Sequence, residues 1–184
     1  MRALALRDVR LLVTAVGLSA IGDFLVWVPL ALHVEATTGS AYAVAAFFFA
    51  LFGPSVALAG ASGRLADRVE NVRLLVGVSL AQSVVAVALA FSTGSLAAIL
   101  ALSALLGAGT ALSRPPESAL VPAATGDGDV RRANGLVESA RYAGMTAGPV
   151  LGGLMAAAGA IEVALLIDAA SFLAVAGCAT ARGT

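Results

Sequence analysis

Long apolar stretches alternate with short polar ones along the whole chain. A helix needs about 20 mainly apolar residues to cross a membrane, and about six stretches reach that length. The pattern therefore predicts an all-α membrane protein whose six transmembrane helices form a single domain over residues 1–184. The predicted helices are Val9–His33, Ala41–Leu65, Arg73–Phe91, Ser95–Arg114, Arg132–Ala158 and Ile161–Ala181.

The predicted connections are short, and the longest is Pro115–Arg131 between the fourth and fifth helices. Proline has no backbone N–H and interrupts the hydrogen bonding of a helix. We therefore expect Pro115, Pro116 and Pro122 to end the fourth helix.

The composition supports a membrane protein. Hydrophobic residues make up 60% of the chain and charged residues 12%, whereas a soluble domain has about twice that charged fraction. The N-terminal apolar run is too long for a cleaved signal and is expected to stay as the first helix. No basic patch indicates nucleic-acid binding, and Cys178 is the sole cysteine, so no disulfide, metal cluster or cofactor is expected.

The arginines predict the orientation of the chain. All eleven basic residues are arginine, and except for Arg141 they fall at the N-terminus, at alternate connections or after the last helix. Positive residues flanking membrane helices stay on the cytoplasmic side, so we expect a multi-pass plasma (inner) membrane protein with a cytoplasmic N-terminus. The expected inner arginines are Arg2, Arg7, Arg10, Arg64, Arg68, Arg73, Arg114, Arg131, Arg132 and Arg182.

Four charged residues lie away from the ends of the predicted membrane helices. Charges at that depth are costly and usually face a protein interior or a water-filled cavity. Asp23 is therefore a candidate for proton or cation binding, and Asp168 is a second proton-coupling candidate; the alternative for each is a hydrogen bond to a neighbouring helix. Glu138 and Arg141 are three residues apart and can neutralise one another, or Arg141 can reach Asp23 or a substrate anion.

A glycine-rich string distinguishes the fifth predicted helix. Gly144, Gly148 and Gly152 recur every four residues and so share one helix face, which lets another helix approach closely. Pro149 is expected to bend the helix. The string G-x-x-x-G-P-x-x-G-G, which ends at Gly153, resembles motif C of the drug:proton antiporters in the major facilitator superfamily. The plainer alternative is a packing seam of small residues.

The second predicted inner connection supports this resemblance. It reads G-R-L-A-D-R-V-E-N-V-R from Gly63 onward and is similar to motif A of the superfamily, G-x-L-A-D-R-x-G-R-R. The resemblance implies that Gly63 ends a helix and that Asp67 and Arg68 form a charged latch at the inner face. Glu70 replaces the expected glycine, and Arg73 is the nearest substitute for the missing basic residues. The alternative is a solvated charged turn.

Three further stretches resemble the branch that includes macrolide and siderophore exporters. They are Gly22-Asp23, the run Arg114–Pro122 and the run Asp168–Phe172. Members have twelve helices in two similar halves, so the resemblance implies that this chain is the N-terminal six-helix half. Its expected partners are lipid, a small-molecule substrate, and a second six-helix half or another copy of the chain. The motif C glycine face is expected to pack against that second half.

The sequence thus predicts transmembrane transport, with proton-coupled export of small organic or drug-like compounds as the leading hypothesis. On this reading Asp23 takes and releases the proton. The alternative is a half-length membrane protein that does not transport by itself and acts as an assembly partner. An enzyme is not expected: Gly17-Leu18-Ser19-Ala20 lacks the last glycine of a membrane serine protease motif, and no surrounding motif supports an Asp23–Asp168 aspartyl site.

Overall fold

The computed structural model describes residues 2–125 and 130–181, with side chains described from Val9 onward except that of Ala124. Arg182 and the side chains of Arg2 and Arg7 therefore lie outside the described part. The described residues form helices with no strand among them. The helices are α1 Arg2–Thr38, α2 Ala41–Ala57, α3 Ala59–Ala66, α4 Asn71–Ala90, α5 Leu96–Thr125, α6 Val130–Ala157 and α7 Ile161–Ala181.

The second predicted helix is broken into two. α2 and α3 meet at Leu58 with a bend of 48°. Sharp kinks in helices are usually found at proline or at glycine–serine pairs, and Pro54 lies four residues before the break. The N–H of Leu58 still donates to the Pro54 carbonyl at 2.9 Å, so the chain turns without losing that hydrogen bond.

The prediction that prolines end the fourth helix is wrong. α5 continues past Arg114 to Thr125 and contains Pro115, Pro116 and Pro122. Each proline removes one backbone donor, but neighbouring helices can make proline tolerable in a membrane helix. Leu120 and Val121 supply that packing here, because both are buried in an apolar cluster with residues of α1, α4, α6 and α7.

Four described helices are long and apolar enough to cross a membrane, and α2 with α3 gives a fifth span when the bent pair is counted as one. α6 is long enough, but its glycines and the charged residues Glu138 and Arg141 keep it outside this set. The all-helical membrane architecture is thus confirmed, while six spans are not.

α1 is the central helix of the bundle. It packs against α2, α5, α6 and α7, most extensively against α6, while α4 packs between α5 and α7. Two apolar clusters lie along it. The cluster around Leu30, Val34 and Phe47 lies toward its C-terminal end, and the cluster around Leu12 and Val16 lies toward its N-terminal end. The buried charged residues lie between the two clusters.

Candidate functional site

A cavity of about 430 Å³ opens beside the middle of α1. Its walls come mainly from α1, α2 and α5, with contributions from α3 and α7. Apolar and aromatic side chains form most of the wall, and the polar groups are few. The aromatic residues are Phe24, Trp27, Phe47 and Phe52, and the polar ones are Asp23, Ser55, Ser62, Ser103, Thr110, Arg114 and Asp168.

The aromatic wall is a connected set of rings. Phe24 and Trp27 lie on α1 with ring centroids 4.0 Å apart and planes tilted by 52°. Phe52 of α2 meets Trp27 edge-on at 4.9 Å and 88°. Aromatic side chains offer both apolar contact and ring faces that attract cations, so this wall suits an amphipathic organic guest.

The two predicted proton-coupling residues line the same cavity. Asp23 lies on α1, and Asp168 reaches the cavity from α7. Asp168 is 1% exposed, and the two carboxyl groups are close enough for their charges to interact. The Ser171 hydroxyl donates to the backbone carbonyl of Asp168 at 2.8 Å and lies 3.4 Å from its Oδ1. The structure therefore brings together two residues that the sequence could only propose separately.

Gly22 makes this close approach possible. A Cβ at Gly22 would lie 2.5 Å from Ser171 Oγ and 2.6 Å from Asp168 Oδ1, closer than real side chains allow. Only a residue without a side chain lets α7 bring Asp168 next to the residue that precedes Asp23. Gly22 thus provides the close contact between α1 and α7, and the adjacent Asp23 is the candidate functional residue.

Arg141 is shared between two carboxylates. Its Nη2 lies 3.2 Å from Glu117 Oε2 on α5, and its Nε lies 3.4 Å from Glu138 Oε1 on α6. The side chains of Arg141 and Glu117 are 13% and 11% exposed, against 52% for Glu138. The expected pairing of Glu138 with Arg141 does form, but the buried partner of Arg141 is Glu117.

Sequence reasoning missed Glu117 because it placed this residue in a connection. The signal that could have found it is the apolar pair Leu120 and Val121, which follows Glu117 at helical spacing. These two residues continue the buried face of α5 beyond the prolines.

The charged turn between α3 and α4 differs from the expected latch. Asp67 and Arg68 are both exposed, and no ion pair within the described part of the chain involves either. The pair that does form is Arg73 with Glu70, at 2.7 Å from Nε to Oε2. Gly63 lies inside α3 and does not end it, because the helix runs to Ala66.

The glycine face of α6 packs against α1. A Cβ at Gly144 would lie 2.7 Å from Ala20 Cβ, and one at Gly148 would lie 2.6 Å from Phe24 Cβ. Gly152 lies against the carbonyl of Leu25. The expectation that this face meets a second half is therefore wrong for these three glycines, because α1 of the same chain fills the groove.

Pro149 and Gly153 lie next to this glycine face in the sequence but are not among its three contacts with α1. Pro149 lies within α6, which continues through it as one helix from Val130 to Ala157. Gly153 has no neighbouring atom within 4 Å of a Cβ placed there. Gly153 therefore does not belong to the seam with α1.

One comparison with known proteins gives a match. The family model described as the Major Facilitator Superfamily matches residues 12–181, which is most of the chain. No curated protein and no solved structure matches the chain.

Proposed function

The chain belongs to the major facilitator superfamily, and from this premise we propose that it exports small amphipathic organic compounds in exchange for protons. It is a membrane transporter of the major facilitator type and not an enzyme. The observation that carries the finer proposal is the position of Asp23. This carboxyl group lies in the wall of an aromatic cavity at the middle of the central helix.

The cavity wall supports the substrate class. Phe24, Trp27 and Phe52 offer ring faces and apolar surface, and Asp23 and Asp168 offer negative charge when they are ionised. An amphipathic cation gains from both, because a ring attracts it by about 0.5–2 kcal/mol, and more when it is desolvated. Tetraphenylphosphonium is a suitable probe since it is a stable organic cation with four aromatic rings.

The carboxyl group of Asp23 also supports the proposed exchange of a substrate cation for a proton. A cation and a proton cannot both occupy one carboxylate, so loading of the cavity displaces the proton from Asp23. Asp168 is the second proton-coupling residue of the proposal because it lines the cavity beside Asp23. Arg141 sets the charge near the inner side of this site through its pairing with Glu117 and Glu138.

The close packing of α1 on α6 supports a mechanical role for the glycine face. Contacts at Gly144, Gly148 and Gly152 bring two backbones together without side chains between them. We expect α1 and α6 to move as one unit, with Pro149 as its bend and Gly153 free for another neighbour. Asp67 and Arg68 at the exposed inner turn are the proposed latch, with Gly63 and Arg73 beside them.

A partner of six further helices, or a second copy of this chain, is part of the proposal. The face of α6 opposite the glycines exposes Tyr142, Val150 and Leu154 beside a shallow groove. This face also supports the alternative function, an assembly partner without transport of its own. The absence of pH-dependent flux, with no second six-helix half to be found, favours the alternative.

The test uses inside-out membrane vesicles that contain the chain, an acidified lumen, and tetraphenylphosphonium in the medium. We expect uptake that collapses when the pH gradient is dissipated. Asp23→Asn keeps the size of the side chain and removes its proton exchange, so it should abolish the gradient-dependent uptake at equal protein level. Glu162→Gln, an exposed acid in the first turn of α7, is the matched control. Full gradient-dependent uptake by Asp23→Asn refutes the proton site.

A further inference from the structure

We propose that Glu117 is a proton relay that connects Asp23 to the inner side through a water-sized chamber separate from the substrate cavity. The proposal rests on the proposed exchange at Asp23. It adds Glu117 and a route for the proton, and neither the family match nor the large aromatic cavity assigns them.

The chamber lies between α1, α4, α5, α6 and α7 and has a volume of about 20 Å³. A cavity needs roughly 10–15 Å³ by this measure to hold a water molecule, together with polar partners. The partners are present, because polar groups from four helices line the chamber. They are Ser19, Asp23, Gln82, Thr110, Ser113, Arg114, Glu117 and Arg141.

Asp23 lies in the wall that separates the two spaces. It lines the large aromatic cavity and the small polar chamber, as do Phe24, Thr110 and Arg114. Glu117 and Arg141 line the chamber and not the large cavity. A proton on Asp23 can therefore reach Glu117 without passing through the space a substrate occupies.

Arg141, which lines this chamber, has a buried donor without a hydrogen-bond partner among the described residues. The Nε of Arg141 is buried and donates no hydrogen bond to any described group, although it lies 3.4 Å from Glu138 Oε1 as an ion pair. A buried donor without a partner is costly, and a water in the chamber would accept its hydrogen bond. The same water can bridge to the carboxylate of Glu117, which Arg141 already holds at 3.2 Å.

The transfer balances without any other reactant. The carboxylic acid of Asp23 gives its proton to the water, and the water gives a proton to the carboxylate of Glu117. Asp23 ends as a carboxylate and the water is unchanged. Glu117 returns to its carboxylate form when it gives the proton to solvent on the inner side. Arg141 cannot carry the proton, because its guanidinium stays charged; it positions the water and Glu117.

Within the described residues, the charged and titratable groups that act on Asp23 and Glu117 come from α1, α5, α6 and α7. Asp23 of α1 faces Arg114 and Glu117 of α5, Arg141 of α6 and Asp168 of α7. Glu117 faces Arg114, Arg141, Glu138 and Asp23. α4 contributes the neutral Gln82 to the chamber wall. Asp23 and Glu117 are thus the two groups that both border the chamber and exchange protons.

The experiment measures binding and proton release on the purified full chain in lipid nanodiscs. Trp27 is the sole tryptophan and lies in the cavity wall, so quenching of its emission reports binding of tetraphenylphosphonium. A pH-indicator dye in weakly buffered solution reports the released proton, with both signals followed by stopped flow. The variants are Asp23→Asn, Glu117→Gln, Glu117→Asp and the control Glu162→Gln.

We expect Glu117→Gln to bind the probe with nearly wild-type affinity, because the large cavity is intact and Arg141 keeps Glu138. Its proton release should slow by about tenfold or more, since a positioned proton-transfer group typically contributes at least that factor. Glu117→Asp restores a carboxylate and should recover part of the rate. Glu162→Gln should match the wild type in both signals.

Wild-type release kinetics in Glu117→Gln overturn the relay and leave the proposed function intact. Loss of probe binding in both Glu117 variants also overturns it, because Glu117 would then be a structural partner of Arg141. A wild-type chain that fails to bind the probe, or binds it without releasing a proton, refutes the proposed function and the relay with it. Equal proton release by Asp23→Asn does the same.

Discussion

The seam between α1 and α6 offers the sharpest structural prediction. Gly148→Ala adds one methyl group where a Cβ would lie 2.6 Å from Phe24 Cβ and 3.0 Å from the Ile21 carbonyl oxygen and the Leu25 amide nitrogen. Carbon atoms at rest lie about 3.5–4.0 Å apart. Two of these three neighbours are backbone atoms, so the methyl group is accommodated only if the helices separate by about 1 Å.

The size of the effect follows from two opposing contributions. Overpacking a well-fitted contact costs about 1–3 kcal/mol, and alanine favours a helix over glycine by about 1 kcal/mol. We therefore expect the free energy of unfolding of Gly148→Ala to fall by up to about 2 kcal/mol. For a chain of this length that corresponds to a melting temperature lower by up to about 8 °C.

Gly153→Ala is the matched control. It makes the same substitution five residues later in the same helix, where no atom lies within 4 Å of the new methyl group. Its stability should stay the same or rise, since only the helix preference acts. The assay is thermal unfolding in nanodiscs followed by the emission of Trp27, whose ring packs against Phe24. Equal melting temperatures for the two variants would refute the reasoning that α6 packs on α1 through its glycines.

Two of the three further predictions concern buried polar groups, and the third concerns a close contact between two helices. Arg141→Gln leaves the buried Glu117 carboxylate without its ion pair and should destabilise the chain by about 3–5 kcal/mol. The double variant Arg141→Gln with Glu117→Gln should recover most of that loss in the same thermal assay. A double variant no more stable than the single one contradicts the pairing. Ser83→Ala removes the hydrogen bond from its hydroxyl to the Ala169 carbonyl, 2.9 Å long, and should cost about 0.6–1.7 kcal/mol. Ser103→Ala removes a buried hydroxyl that has no hydrogen-bond partner among the described residues and should cost nothing. Gly107→Ala should strongly destabilise the packing of α5 on α2, because its Cβ would collide with the Leu51 carbonyl. Gly77→Ala, with open space around it, should not. Similar melting temperatures for the two variants contradict the contact between Gly107 and Leu51.

Much of the helical pattern could be predicted from hydropathy. The last helix has the predicted bounds, Ile161–Ala181, because most of its residues are apolar and a glycine turn precedes it. The end of α5 was mispredicted because proline was expected to end a helix, as it usually does in a soluble protein. In this bundle the contacts of Leu120 and Val121 outweigh the lost backbone donors.

The candidate site was predictable in its parts and not in its arrangement. An aspartate in an apolar helix is visible in any sequence, so Asp23 and Asp168 could be named. Their shared cavity depends on Gly22, whose role appears only when α7 lies against it. Glu117 was missed because it was placed in a connection, and its pairing with Arg141, 24 residues away on another helix, is not visible in any local pattern.

The glycine string illustrates the same limit. A face without side chains indicates that another backbone comes close, but not which one. The resemblance suggested a second half, and the structure gives α1 instead. The choice depends on the length of the connections and on the positions of Ala20 and Phe24, which a motif does not contain.

The most direct test of the central claim is the affinity for tetraphenylphosphonium as a function of pH, measured by Trp27 quenching for the wild type and for Asp23→Asn. If the cation and the proton compete for Asp23, the affinity of the wild type rises as the pH rises, and the affinity of Asp23→Asn, which keeps only Asp168 in the cavity wall, rises much less. The same pH dependence in both proteins would contradict exchange at Asp23.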